Sequence, residues 1–148
     1  MTKRIVVPVD GSEHSMKALD VAIDLARQRD QMICLVHVVP RGGAPEGMQK
    51  WASVEHVHES PEWLYDEGLA ENVLTGAEDR IVEASEVKVE RLVDRGDPAH
   101  CVIELSKSAD TAMVVMGSRG LSDFGGLVLG SVAHKVSHSA KCPVVTVT

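Results

Sequence analysis

The chain contains the run Thr111-Ala112-Met113-Val114-Val115-Met116, followed at once by Gly117-Ser118-Arg119-Gly120. A short, almost entirely apolar run that is bounded by turn residues is typical of a strand buried on both faces of a parallel sheet. The two glycines that follow predict a tight turn at the carboxyl end of this strand. The stretch therefore predicts an interior strand over 111–116.

Apolar strand-like segments and amphipathic segments alternate along the rest of the chain. The predicted helices cover 13–29, Leu64 to about Ala84, Pro98 to about Ser108, and a stretch ending at about Ser139; the other predicted strands cover 3–9, 32–38, 87–93 and 143–147. This order is typical of a parallel sheet with helices on both faces. The strand over 87–93 carries three charges, which favours an edge position. Because no repeat or linker divides the 148 residues, we expect a single domain over 1–148.

The composition argues against several classes of protein. Fifteen Lys and Arg against 22 Asp and Glu give a net charge of −7, which opposes binding to nucleic-acid phosphates or an anionic membrane. No apolar run approaches the roughly twenty residues of a transmembrane helix, and we recognise no signal peptide. The three cysteines lack CxxC spacing, so we expect reduced, structural thiols in a cytoplasmic protein.

A ligand is expected where the winding of the sheet reverses. If the fourth strand returns beside the first, the turns Asp10-Gly11-Ser12 and Gly117–Gly120 meet there. A helix that opens at Gly130-Ser131 would present unpaired N–H groups suited to phosphate, and Arg119 could add a charge-assisted contact. The alternative interpretation is that the glycine-rich stretch only connects a strand to a helix, and that Asp10 is an ordinary turn residue.

The spacing G-x2-G-x9-G-S, formed by Gly117, Gly120 and Gly130-Ser131, resembles the ATP-binding motif of universal stress proteins. Three further segments are similar to this family in order and spacing: Val7–Ser12, Val36–Val38 and Cys142–Val147. The resemblance implies a Rossmann-like α/β fold with an open five-stranded parallel sheet of order 3-2-1-4-5. It also implies a homodimer paired through the C-terminal strand, and membership of the branch that binds ATP.

The resemblance also implies roles for individual residues. Asp10 would lie near the ribose or near a metal ion, Mg²⁺ or Mn²⁺, that accompanies the phosphates. Backbone groups of Val38 or Val39 would face the adenine. The residues expected around the phosphates are Gly117, Gly120, Gly130, Ser131 and Val132, with Arg119 nearby, and the remaining expected site residues are Pro8, Val9, Ser12 and Met116.

The motifs of dedicated enzymes are missing. The chain has no GxxxxGK[ST] run and no GxGxxG after its first strand, which argues against a P-loop NTPase and a nicotinamide dehydrogenase. No obvious general base stands beside the glycine motif, so any hydrolysis of ATP should be slow. We expect a nucleotide-dependent regulator of the stress response. The alternatives are a slow ATPase or nucleotidyl-transferring relative, and a dimeric interaction protein that binds no nucleotide.

Histidine pairs give only weak indications of a metal site. His134 and His138 are spaced i, i+4 on a predicted helix, and His56 and His58 share one side of an extended segment. Neither pair has an evident third ligand, so a solvated or packed face is the favoured interpretation. The polar stretch over 40–61, which holds the second pair, could cover the pocket or form a surface loop.

Overall fold

The computed structural model describes residues 2–39, 61–120 and 129–148. Strands and helices alternate through these ranges, in the order β1 Arg4–Pro8, α1 Glu13–Arg29, β2 Met32–Val39, α2 Pro61–Ala84, β3 Val89–Arg95, α3 Pro98–Ser106, β4 Thr111–Gly117, α4 Ser131–Ser139 and β5 Val144–Val147. The interpretations of residues 40–60, including His56 and His58, lie outside the described residues, and so does the 121–128 part of the glycine-rich stretch.

The five strands form one parallel sheet in the order β3-β2-β1-β4-β5. This confirms the predicted fold class. β1 pairs with β2 on one side and with β4 on the other, so the winding reverses between β1 and β4. β4 is an interior strand and β3 is an edge strand, as their residue patterns predicted.

Helices cover both faces of the sheet. Side chains alternate along β1, so that Val7 packs in the cluster formed with α1 and α2 whereas Val6 packs in the cluster formed with α3 and α4. Full burial of one such aliphatic side chain contributes about 1.5–3 kcal/mol to folding. Within the described ranges, no helix combines the length and apolarity needed to cross a membrane.

Several boundaries differ from those predicted: ends of β1, β2, β4 and β5 move by one residue, and larger shifts occur in α2, β3 and α3. α2 begins at Pro61 rather than Leu64, because the fixed φ of proline suits the first helical position. β3 covers 89–95 rather than 87–93, since the Val87 N–H donates to the Ser85 hydroxyl in a local turn before the strand begins. α3 ends at Ser106 rather than 108, where i→i+3 hydrogen bonds tighten the chain after its last turn.

Side chains cap the first turns of α1 and α3. The Ser12 hydroxyl accepts a hydrogen bond from the Ser15 N–H at 3.2 Å. The Asp97 carboxylate accepts one from the His100 N–H at 2.9 Å, and Pro98 occupies the first turn as predicted. Each cap satisfies one of the N–H groups that a helix leaves unpaired at its start.

The cysteines lie within the packing of the sheet. Cys34 and Cys101 are buried, Cys142 is half-buried, and all three are free thiols. Burial, together with a hydrogen bond to Glu90, raises the pKa of the Cys34 thiol to about 12. A thiol with such a pKa stays protonated near neutral pH, so Cys34 behaves as a small core side chain rather than as a nucleophile.

Candidate functional site

A cavity of about 340 Å³ opens at the carboxyl ends of β1, β2 and β4. Its volume lies in the range of small-molecule binding pockets, and it occupies the point where the winding reverses. The structure brings most of the predicted site residues together in its lining, namely Pro8, Val9, Asp10, Val38, Met116, Gly117, Arg119, Gly120, Ser131 and Val132. Ser12, Val39 and Gly130 do not line it.

Apolar side chains from α3 and the sheet form one wall of the cavity. Pro98 and Val102 come from α3, Val36 from β2 and Met116 from β4. A wall of this kind suits a flat apolar ring, which gains free energy by leaving water. Pro98 and Val102 were not among the predicted site residues, because their place in the wall depends on how α3 crosses the sheet.

Two hydrogen bonds join the ends of β1 and β2 beside this wall. The Val9 N–H donates to the Val36 carbonyl at 2.8 Å, and Nδ1 of His37 donates to the Val9 carbonyl at 2.9 Å. His37 lines the cavity and is only 4% exposed, and its buried Nε2 has no hydrogen-bond partner among the residues that the structure describes. The sequence pattern had marked this strand end but had not marked the imidazole.

Val38 and Val39 have different surroundings. Val38 lines the cavity. Val39 is 5% exposed and its carbonyl accepts the Gly96 N–H at 2.9 Å. Its side chain contributes instead to a second cavity, beside Ala70 and Leu74 of α2. Of the two residues expected near adenine, Val38 is therefore the one placed to meet a ligand.

The turn after β1 presents Asp10 to the cavity and then starts α1. Gly11 has a φ of +84°, a left-handed conformation that favours glycine. One carboxylate oxygen of Asp10 accepts the Ser12 N–H at 2.9 Å, so Asp10 is both a turn residue and a lining residue. Ser12 is buried and serves as the cap of α1, which explains its absence from the lining.

The turn after β4 lies against the first turn of α1. A Cβ placed on Gly117 would come within 2.8 Å of the backbone carbon and Cβ of His14. Close packing of α1 against β4 therefore requires a glycine at position 117, which also lines the cavity. The next residue, Ser118, is 2% exposed, and its N–H donates to the Val147 carbonyl at 2.8 Å. The Ser118 carbonyl in turn accepts the Gly130 N–H at 2.6 Å.

Arg119 lines the cavity and contacts α1. Its Nη2 lies 3.2 Å from Nε2 of His14, and Nδ1 of His14 lies 3.4 Å from the Ser118 hydroxyl. Neither His14 nor Ser118 was among the predicted site residues. Ser118 could have been noticed from its place inside the glycine motif, whereas nothing local marks His14.

The first turn of α4 faces the cavity, and no side chain of the described residues caps it. Gly130 precedes this turn with a φ of −69°, a conformation open to any residue, so backbone geometry does not require a glycine there. Ser131, Val132 and Ala133 line the cavity, and the first turn holds no acidic residue. The unpaired N–H groups and partial positive charge of this helix start therefore lie beside the cavity.

Metal-binding groups are sparse in the part of the chain that the structure describes. No set of three or more His, Cys, Asp or Glu side chains there could hold a metal ion. His134 and His138 stack with their ring centroids 5.9 Å apart on α4. Among the described residues, Asp10 is the one carboxylate that lines the cavity.

A model of the universal stress protein family matches residues 1–148. The chain belongs to this family. It is 33% identical to the universal stress protein YxiE of Bacillus subtilis over 153 residues, an alignment that covers 99% of both chains. The family assignment agrees with the sheet order and with the position of the cavity.

Solved structures of other family members share the fold of this universal stress protein. UspA from Lactobacillus plantarum matches with a TM-score of 0.78 at 18% identity, covering 99% of this chain and 97% of UspA. A universal stress protein from Archaeoglobus fulgidus, solved in complex with dAMP, matches with a TM-score of 0.67 at 22% identity, covering 100% of this chain and 98% of the other.

Proposed function

We propose that this universal stress protein is a single-domain ATP-binding regulator of the stress response. The observation that carries the proposal is the start of α4, where three lining residues follow a glycine cap and face the same cavity as Arg119. Unpaired N–H groups at a helix start and a guanidinium group both favour phosphate oxygens. The cavity thus combines two elements that recognise the same chemical group.

The phosphates would lie at the β4 and α4 end of the cavity. The first turn of α4 supplies N–H groups there, Ser131 adds a hydroxyl, and Arg119 adds a guanidinium group. The absence of an acidic residue from the first turn of α4 avoids repulsion of the phosphate charge. Of the residues expected around the phosphates, Gly117, Gly120, Ser131 and Val132 line the cavity, whereas Gly130 precedes the helix without lining it.

The adenine would lie against the apolar wall. The apolar surface comes from Val36, Val102 and Met116. The hydrogen-bonding groups beside it are the backbone N–H and C=O of Val38, since a valine side chain has none. Apolar walls with a few fixed polar groups are typical of small-molecule pockets. Support also comes from the Archaeoglobus fulgidus protein, whose structure holds an adenine nucleotide, dAMP.

Asp10 would help to hold a Mg²⁺ or Mn²⁺ ion that travels with the phosphates. Mg²⁺ in nucleotide sites is commonly bound by one or two carboxylates together with phosphate oxygens. Asp10 lines the cavity, and the donor set of one carboxylate fits an ion that depends on the nucleotide for further ligands. Bound there, the ion would neutralise part of the phosphate charge.

Binding rather than turnover is the proposed activity, with at most slow hydrolysis. We further propose that the protein acts in the cytoplasm as a homodimer paired through β5. That strand lies at one edge of the sheet, and Val144, Val145 and Val147 are only half-buried on it. Pairing between two copies would close this edge, as symmetric interfaces do.

Calorimetric titration of nucleotide-free protein with ATP and Mg²⁺ tests the binding proposal. We expect a dissociation constant in the micromolar range, about −8 kcal/mol. Gly130→Val should abolish binding, because a branched side chain at the helix start blocks the approach of phosphate. Release of inorganic phosphate, followed over hours with the same protein, should stay slow.

Gly76→Ala is the matched control for this titration. Gly76 lies within α2, and a Cβ added there comes within 4 Å of no described residue beyond its own stretch of helix. This variant should fold and bind ATP as the wild type does. Undetectable ATP binding by the folded wild type, or full affinity in a folded Gly130→Val variant, would contradict the proposed phosphate site. Undetectable binding by the wild type would favour the alternative function, a dimeric interaction protein that binds no nucleotide.

A further inference from the structure

A contact between α1 and the turn after β4 joins residues far apart in the sequence. The Nη2 atom of Arg119 lies 3.2 Å from Nε2 of His14, which precedes it by 105 residues. The other ring nitrogen of His14, Nδ1, lies 3.4 Å from the Ser118 hydroxyl. Ser118 and Arg119 line the cavity, whereas His14 does not. The imidazole therefore stands behind the residues that would face a ligand.

The direction of these hydrogen bonds follows from the chemistry of the groups. A guanidinium group can only donate, so Nε2 of His14 accepts from Arg119. In a neutral imidazole the proton then lies on Nδ1, which donates to the Ser118 hydroxyl. One ring thus orients two consecutive residues of the turn and needs a single tautomer to do so.

The position of His14 is itself fixed by its surroundings. The missing side chain of Gly117 lets the first turn of α1 approach β4, as the 2.8 Å distance to a hypothetical Cβ shows. The cap at Ser12 holds the same helical turn from the other side. Ser118, whose hydroxyl accepts the hydrogen bond from Nδ1, is held through both its N–H and its carbonyl. His14, which contacts Arg119, is therefore held in place by packing against Gly117, by the cap of α1 and by Ser118.

We infer that His14 is a positioning residue that holds the Arg119 guanidinium at the cavity, so that the site favours phosphorylated nucleotides over the nucleoside. This inference rests on the proposed function. A long side chain that is already ordered loses less conformational freedom when it binds a ligand. The contribution of His14 should accordingly appear only for ligands that carry phosphate.

Titration of ATP with Mg²⁺, and separately of adenosine, into the wild type, His14→Ala and His14→Gln measures this selectivity. Glutamine is the conservative variant, because its side-chain oxygen can accept from Arg119 and its amide can donate. We expect His14→Ala to weaken ATP binding about tenfold and to leave the adenosine affinity unchanged. His14→Gln should keep most of the ATP affinity. In an Arg119→Ala background, His14→Ala should cause no further loss.

The outcomes separate this inference from the proposed function. Equal losses for ATP and adenosine, no loss in His14→Ala, or a full additional loss in the double variant would overturn the positioning role while leaving ATP binding intact. A wild type that binds neither ligand would overturn both proposals. Nitrogen NMR of the histidines adds a test without ligand: the ring of His14 should carry its proton on Nδ1, and a proton on Nε2 would contradict the contact with Arg119.

Discussion

The starts of α1 and α4 lie at the carboxyl ends of neighbouring strands and differ in how their first turns are capped. Both helices follow neighbouring strands of the sheet, β1 and β4. α1 has Ser12 as a side-chain cap and the acidic Glu13 in its first turn. α4 has Gly130, which offers no side chain, and no acid in its first turn. Within the described ranges, a side chain caps the start of α1, whereas the start of α4 faces the cavity without such a cap.

Under the proposed function, this difference separates stability from ligand binding at neighbouring strand ends. A side-chain cap stabilises the fold by accepting a hydrogen bond from an N–H group of the first helical turn, and that N–H is then less available to a ligand. A helix start without such a cap lacks this stabilisation, but its N–H groups can still bind an anion. His14 links the two, because it belongs to the first turn of α1 and contacts Arg119 beside α4. The stable helix start therefore supports the site that the other one forms.

Breaking the contact between the two regions should have the largest effect. Gly117→Val places a branched side chain where even a Cβ would lie 2.8 Å from His14, so we expect a loss of roughly 3 kcal/mol in the free energy of unfolding. Urea denaturation measures this loss. Gly68→Ala, in open space on α2, is the control. A Gly117→Val variant as stable as that control would show that α1 and β4 can separate without cost.

Giving α4 the kind of cap that α3 has should lower the affinity for ATP without lowering the stability of the fold. The φ and ψ of Gly130, −69° and 166°, are compatible with an aspartate cap. Gly130→Asp should weaken ATP binding by about tenfold or more, because its carboxylate occupies the helix start and repels phosphate. Calorimetry gives the affinity and thermal unfolding the stability, which should be retained. Unchanged ATP affinity in the folded variant would place the phosphates elsewhere.

Removing the cap of α1 should affect stability alone. Ser12→Ala deletes the acceptor of the Ser15 N–H, and we expect a loss of about 1 kcal/mol in the free energy of unfolding. Asp97→Ala removes the corresponding cap of α3 and should cost a similar amount. In both variants the ATP affinity should change less than about twofold. A large loss of affinity confined to Ser12→Ala would mean that the start of α1 also serves the ligand.

The acidic first turn of α1 should give the smallest effect. Glu13 is exposed, and its negative charge interacts favourably with the partial positive charge of the helix start. Its Oε1 also lies 3.4 Å from Nζ of Lys17. Glu13→Gln should lower the free energy of unfolding by about 0.3 kcal/mol at low salt, and high salt should remove the difference. Denaturation at two salt concentrations measures it. A salt-independent loss would point to packing of the Glu13 side chain instead of charge.

The sequence predicted the parts of the molecule that depend on local chemistry. The period of apolar residues over 13–29 and the pair Asp97-Pro98 mark α1 and the start of α3, and both agree with the structure. The reversal of winding followed from strand alternation combined with the resemblance to a known family. These signals lie within single elements or in recognisable motifs, so no knowledge of packing was needed.

The parts that could not be predicted depend on how elements cross. The approach of α1 to β4 gives Gly117 its packing role, and it brings His14 to Arg119 across 105 residues of sequence. The wall formed by Pro98 and Val102 likewise depends on the course of α3 over the sheet. Val39 illustrates the same limit, since its carbonyl is engaged by Gly96 after a chain reversal that the valine itself does not encode.

Ser118 ties the cavity to the far edge of the sheet. Its N–H is bonded to Val147 at the end of β5, and its carbonyl is bonded to Gly130 at the start of α4. If two copies pair through β5, a shift of this strand would be passed through one residue to the phosphate end of the cavity. Thermodynamic linkage then requires reciprocity: whatever factor pairing applies to nucleotide affinity, the nucleotide applies to the affinity between the copies.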